Sequence, residues 1–309
     1  MAIAWGAVPG VALAAVGDLT PLSPATIDTG LGSQSAVVSP DGKQVYVLDV
    51  GPLLSVGNYS TVTSFTRDPD SGALSPLATT ALPAGSVATA MQMSPDGTSL
   101  YVVGYMPDPD NSSNMLFPVW VLTRDAETGA LSPTTPASFE VGGYPIAVAV
   151  APDGKQVYFG RAMAADVAMV PRDPETGVLD VDNMDTVSTG AFWVGLASSP
   201  DGKSVYATDS TGELLHSYQR DPETGKLSGH AQVSMTSPDA AMVSPDGKQV
   251  YVTSFGSNTL SVFTRDLSNG ALSPQAEQTL TTEDRPYGMV MSPDGLSVYV
   301  SSTGLGGMV

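Results

Sequence analysis

Along the chain, apolar residues alternate with polar ones in short runs, as in Gln44-Val45-Tyr46-Val47 and Thr61-Val62-Thr63-Ser64-Phe65. A period of two is that of a strand with unlike faces, and no segment sustains the helical period of roughly 3.6 residues. The runs are separated by two recurring turn motifs. The first is Ser-Pro-Asp-Gly, once Ala-Pro-Asp-Gly, with prolines Pro40, Pro95, Pro152, Pro200, Pro245 and Pro293. Six residues after each proline stands a tyrosine: Tyr46, Tyr101, Tyr158, Tyr206, Tyr251 and Tyr299. The second motif is Arg-Asp followed by a turn ending Gly-x-Leu, beginning at Arg67, Arg124, Arg172, Arg220 and Arg265. Proline presets φ, aspartate bonds its own backbone, and glycine takes the positive φ that such turns need. Each motif therefore joins two antiparallel strands, and a repeat reads as strand a, turn, strand b, loop, strand c, turn, strand d.

The spacing gives the architecture. From tyrosine to the next arginine the distance is 21, 23, 14, 14 and 14 residues, and from arginine to the next turn proline it is 28, 28, 28, 25 and 28. The basic unit is 48 residues long, and the first two units carry insertions of 7 and 9 residues between strands b and c. Repeats of this length built from four strands are the signature of a propeller blade. The pattern predicts an all-β, six-bladed β-propeller in a single domain, residues 1–309. Its last blade would be formed by about 281–309 with 1–32, Met1–Val8 serving as strand c and Gly17–Ile27 as strand d. That closure would remove exposed sheet edges at the ring seam. On this reading residues 1–16 stay on the protein. They are rich in Ala and Val, but they lack a basic start and are broken by Gly6, Pro9 and Gly10, unlike a signal peptide.

Charge and composition narrow the function. With 31 acidic and 12 basic residues the net charge is −19, which argues against a nucleic-acid partner or an anionic membrane surface. No run of about 20 apolar residues offers a membrane span. There is no cysteine, hence no disulfide, thiol nucleophile or Cys-type zinc site. Asp180–Asp185 carries oxygen ligands at alternate spacing but lacks the glycine and distal glutamate of a calcium loop, Asp108–Asn111 in the long loop of the second unit is a further weak calcium candidate, and neither a metal nor another cofactor is expected.

The phrase Val-Ser-Pro-Asp-Gly-Lys-Gln-Val-Tyr-Val at 38–47 and 243–252, with Ser-Asn-Thr-Leu-Ser-Val-Phe-Thr-Arg-Asp at 257–266, resembles the repeat of the lactonase and YVTN-type β-propeller family. The resemblance covers essentially the whole chain. It implies a propeller fold and brings to mind 6-phosphogluconolactonase-like and carboxymuconate-cyclising enzymes, usually seven-bladed. Those enzymes commonly place histidine just before strand a. Here the matching segments are Gly32–Ser35, Gly142–Pro145 and Arg285–Gly288, without histidine, so no catalytic residue carries over.

Candidate binding residues follow from position. The a–b and c–d turns are templated, whereas the b–c and d–a loops vary and carry the insertions, and variable loops on a rigid scaffold are the usual place for binding. Of seven arginines only Arg161 and Arg285 lie outside the template, both at this loop face, where they suit carboxylate or phosphate recognition. The alternative for each is pairing with a local acid such as Asp166 or Asp284. Tyr144, Trp193 and Tyr287 lie where strand a begins and could stack on a sugar or flat ring, or plug the channel. Glu140 and Glu283 are the nearest candidate bases. His216 and His230 fall on strand c and near strand d and receive no role. Two functions stay open. The residues favour a non-catalytic binding or scaffold protein for a small molecule, carbohydrate or protein ligand, in a secreted or extracytoplasmic setting or else the cytoplasm. The alternative is a lactonase-like ester hydrolase or cyclase acting on a small anionic lactone.

Overall fold

The structure, a computed structural model, describes residues 32–50, 59–190, 195–282, 285–291 and 298–302. Five antiparallel sheets follow one another along the chain, each with four strands in sequential order. Blade 1 contains β1 (Ser33–Val38), β2 (Gln44–Asp49), β3 (Thr61–Arg67) and β4 (Leu74–Ala81). Blade 2 contains β5 (Val87–Met93), β6 (Ser99–Pro107), β8 (Pro118–Arg124) and β9 (Leu131–Glu140), with the short β7 (Met115–Leu116) paired to the end of β6. Blade 3 contains β10 (Pro145–Val150), β11 (Gln156–Arg161), β12 (Asp166–Pro171) and β13 (Asp185–Ser188). Blade 4 contains β14 (Leu196–Ser198), β15 (Ser204–Asp209), β16 (Leu214–Arg220) and β17 (Leu227–Ser234). Blade 5 contains β18 (Pro238–Val243), β19 (Gln249–Ser254), β20 (Thr259–Arg265) and β21 (Leu272–Thr281). A two-stranded sheet, β22 (Pro286–Met291) and β23 (Val298–Ser302), comes last.

The chain is thus an all-β propeller with four antiparallel strands per blade. The expectation of six complete blades is corrected to five among the described residues, because the last sheet shows only its first two strands. The strands assigned to Met1–Val8 and Gly17–Ile27 lie outside the described residues. The described residues divide into two compact units, one from 32–164 and 170–184, the other from 165–169 and 185–302.

Middle strands such as β6, β11 and β15 are buried almost throughout, which is why they read as near-continuous apolar runs. The fourth strands β4, β9 and β17 are mostly exposed. Cores form between neighbouring blades. In the first unit Tyr46, Leu48, Val62, Met91, Leu100 and Trp120 pack together, and in the second Tyr206, Leu215, Val250, Val252 and Phe263 do.

The repeated residues clamp one blade to the next. Arg124, at the end of β8, reaches back to blade 1, where its Nη2 meets Asp41 at 2.7 Å and its Nε donates to the Tyr46 hydroxyl at 3.1 Å. That hydroxyl donates to the Gly129 carbonyl at 2.9 Å. Arg172, Asp96, Tyr101 and Gly177 repeat the arrangement, with the ion pair at 2.9 Å. Arg265, Asp201, Tyr206 and Gly270 repeat it again, also at 2.9 Å. The fixed Asp-to-Tyr offset within each turn repeat, with an arginine supplied by a following repeat, is the imprint of this clamp. Burial would raise the Asp41 pKa, but hydrogen bonds from Ser39, Arg124 and the Lys43 amide bring it down to about 2. Asp96 is held at about 2 in the same way, through Ser94, Thr98 and Arg172.

Candidate functional site

The b–c and d–a ends of the blades depart from regular backbone. The described non-glycine residues with positive φ are Tyr144, Ala165, Glu213, Ser237, Asn258 and Arg285, and all of them lie in these loops. The a–b and c–d turns use glycine at such positions, as at Gly42, Gly97, Gly129 and Gly270. Non-glycine residues in this region cost about 1–3 kcal/mol each, and such strain gathers where a backbone serves a site. Tyr144, Ser237 and Arg285 each precede the proline that opens a first strand, although a residue before proline favours extended backbone. The second insertion also lies at this end: β6 runs on past its blade and pairs Met106 and Pro107 with Leu116 and Met115 of β7.

In the first unit the loop from Glu140 to Pro145 gathers three of the residues singled out from the sequence. Arg161, the last residue of β11, is buried and donates from Nη1 to the Val141 carbonyl. The loop wraps closely around it, since a Cβ on Gly143 would lie 2.7 Å from the Ala164 Cβ and 3.2 Å from that of Arg161. Arg161 therefore helps to hold the loop in shape. Tyr144, half-buried, sets its ring edge-on to Tyr105 at 5.4 Å and tilted against Phe117 at 5.7 Å. Glu140 is exposed, and its Oε2 accepts from the Phe117 amide at 3.0 Å. Together, Tyr105, Phe117 and Tyr144 form an aromatic patch beside a carboxylate.

In the second unit the guanidinium of Arg285 lies over the Phe255 ring at 5.4 Å, and its amide donates to Asn258 Oδ1 at 2.9 Å. Trp193, Glu283 and the Tyr287 side chain lie outside the described residues. Of the two calcium-like segments, one uses Asp180 to cap a short 3-10 turn and pairs Asp185 with Lys226 at 2.9 Å. In the other, Asp108 accepts from the Asp110 amide at 2.9 Å.

The same unit holds a residue that sequence reasoning missed. Asp239 is the second residue of β18, inside a register irregularity between Pro238 and Ala241 that leaves it out of the ladder. Such irregularities redirect side chains. Its main chain is pinned: the Thr208 hydroxyl donates to the Asp239 carbonyl at 2.6 Å and accepts from the Gly195 amide at 2.7 Å. The approach is close enough that a Cβ on Gly195 would sit 2.3 Å from that carbonyl. Burial pushes the Asp239 carboxyl up to about 6. Burial is the cause of the shift. In the sequence this aspartate is disguised, since Ser237-Pro238-Asp239-Ala240 resembles the turn motif Ser-Pro-Asp-Gly at 244–247 with glycine lost. The available signal was its place at the start of a first strand, where other repeats have Ile146 or Tyr287.

A model of the lactonase family, described as a 7-bladed beta-propeller, matches residues 35–243. The chain belongs to the lactonase family. No curated protein matches it by sequence. Among solved structures, the Pseudomonas aeruginosa periplasmic gluconolactonase is similar at 21% identity over 90% of this chain and 79% of that one, with a TM-score of 0.71. A Bacteroides uniformis protein provisionally named a 6-phosphogluconolactonase shares 18% identity over 86% of this chain and 77% of that one, with a TM-score of 0.70. A protein of unknown function from Desulfotomaculum acetoxidans shares 17% identity over 90% and 81%, with a TM-score of 0.68. At these identities the likeness is one of fold. This lactonase-family chain lacks histidine at the described first-strand starts and has Asp239 at one of them.

Proposed function

We propose that this lactonase-family chain hydrolyses a small lactone, with Asp239 as general base. The observation that carries the reading is a largely buried carboxyl group, raised by burial to a pKa of about 6, at the start of a first strand. First strands border the central channel in a propeller. A base works best when its pKa lies near the working pH, and burial tunes a carboxylate toward it. Asp239 would take a proton from water as the water oxygen attacks the lactone carbonyl. The ring C–O bond then breaks, and the same carboxyl group returns the proton to the departing oxygen, giving a hydroxy acid. Names of similar structures support this substrate class, one being a gluconolactonase. The same likeness supports an extracytoplasmic location, since that protein is periplasmic.

A sixth blade beginning with β22 and β23 is part of the proposal, supported by the 48-residue repeat. A second reading, a binding propeller without turnover, is supported by the patch of Tyr105, Phe117 and Tyr144, which suits stacking on a sugar or aromatic ring. Assay of a panel of sugar and aromatic lactones separates the two. Hydrolysis should fall about 100-fold in Asp239→Asn, the range for loss of a general base. Ligand binding without hydrolysis, weakened by Tyr144→Ala, would support the second reading instead.

A further inference from the structure

The two histidines of the protein meet in blade 4. His216, on β16, is fully buried, and its Nδ1 lies 2.7 Å from Nε2 of His230 on β17. The ring planes are within 10° of each other, and Tyr218 lies parallel beside both. His230 is exposed and sits in a bulge with Gly229, whose φ is +60°. At the far side of His216, Nε2 is buried and makes no hydrogen bond among the described residues, and Asp209 Oδ2 lies 3.7 Å from it. Asp209 ends β15 and is itself buried. Its Oδ1 accepts from the Gly212 amide at 2.5 Å. Gly212 and Glu213 form the b–c turn, and with Ser234, Met235 and Thr236 they line a shallow, open hollow of about 300 Å³. The Glu213 carbonyl accepts from the Met235 amide at 2.9 Å, so the two walls are tied together.

We propose that Asp209, His216 and His230 form a proton relay that couples the pH at the blade surface to the turn beside this shallow hollow. The tautomers follow from the geometry. Asp209 is a buried carboxylate with an acceptor oxygen facing His216, so the proton belongs on His216 Nε2. His216 Nδ1 is then an acceptor, and His230 donates to it from Nε2. This leaves His230 Nδ1 as the place where a proton from solvent enters. The incoming proton on Nδ1 lets the Nε2 proton move to His216 Nδ1, and His216 then carries positive charge against Asp209. A second proton is opposed, because two imidazolium groups in contact and away from water repel strongly. Burial first, and His230 second, hold the His216 pKa below the ordinary histidine value, while Asp209 opposes them. The ionisable groups around the relay are Asp209 on β15, Tyr218 on β16 and Glu213 in the turn. Tyr218 is pushed up to about 12 by burial and by Asp209, so it stays neutral. As charge arrives, Asp209 is drawn toward His216 and away from the Gly212 amide, which loosens the turn.

Nitrogen-15 NMR of the full chain reads this directly, because the two histidine rings are the only ones in the spectrum. At pH about 8, well above the reference histidine pKa, His216 should carry its proton on Nε2. On acidification the two rings should take up one proton as a coupled pair, and the Gly212 amide should shift with the same midpoint. In Asp209→Asn the rings should still titrate while the Gly212 step disappears. A proton on His216 Nδ1, independent titration of the rings, or a Gly212 amide indifferent to their midpoint would each overturn the relay. If Asp209→Asn does not fold, the three wild-type readouts decide alone.

Discussion

The two ends of each blade are built on opposite principles. At the a–b and c–d end, glycines take the left-handed positions, and every described clamp joins an arginine, an aspartate and a tyrosine. Carboxylates there are acidic: Asp41 and Asp96 lie at about 2. At the b–c and d–a end, tyrosine, serine and arginine occupy left-handed backbone alongside glycines such as Gly85 and Gly142, and Asp239 is pushed up to about 6. The signs have opposite consequences for stability. A carboxylate whose folded pKa is depressed contributes stability at pH above its unfolded value of about 4, lost as pH falls toward 2. One whose folded pKa is raised makes the folded state less stable as pH climbs through the interval from about 4 to about 6. The first end holds the blades together, while the second carries strain and an unfavourable charge, the pattern expected where function trades against stability.

The largest effect should come from breaking a clamp. Arg265→Ala leaves Asp201 and the Tyr206 hydroxyl without their partner, and urea unfolding should show a loss of about 3 kcal/mol. Arg265→Lys should recover little of it, because an ammonium cannot span the same acceptors. Next, Gly270→Ala should cost about 1–3 kcal/mol, since its φ is +74° and a Cβ would fall 2.1 Å from Ser204 Oγ.

At the opposite end substitutions should stabilise. Asp239→Asn removes the charge whose burial is opposed. The shift from 3.8 to about 6 would correspond to roughly 3 kcal/mol, and partial solvent access reduces the expected gain to about 1–2 kcal/mol at pH 8. The gain should vanish at pH about 3, where both carboxyl forms are protonated. A gain that does not depend on pH would contradict the assigned cause. Smallest, Ala165→Gly should raise stability by about 0.5 kcal/mol by relieving a φ of 53°. If it destabilises, the strain at this end is not real.

The templated end was legible in the sequence because its motifs recur, with six Pro-to-Tyr offsets and five Arg-Asp turns, and in three described cases the repeated Asp, Tyr and Arg meet in space. Blade number was harder to read, because a repeat count says how many units exist but not how their ends meet. At the variable end periodicity has nothing to say. Arg161 stood out from the template as a candidate for anion recognition, with pairing to a local acid as the alternative, and the structure shows it buried and donating to the Val141 carbonyl. Tyr144 and Glu140 were singled out by position, and the structure places both against Phe117. Asp239 escaped because its chemistry comes from burial and from a backbone irregularity, neither of which leaves a motif. His216 and His230 looked ordinary because a bulge, not an alternating register, brings their nitrogens together.

The most direct test of the account is the pH dependence of lactone hydrolysis by the wild type and Asp239→Asn. Wild-type kcat/KM should rise with pH through an apparent pKa near 6, and the variant should lose about 100-fold while keeping its fold. Equal turnover in the two proteins, or no turnover of any lactone by the wild type, would contradict the assignment of Asp239 as the base.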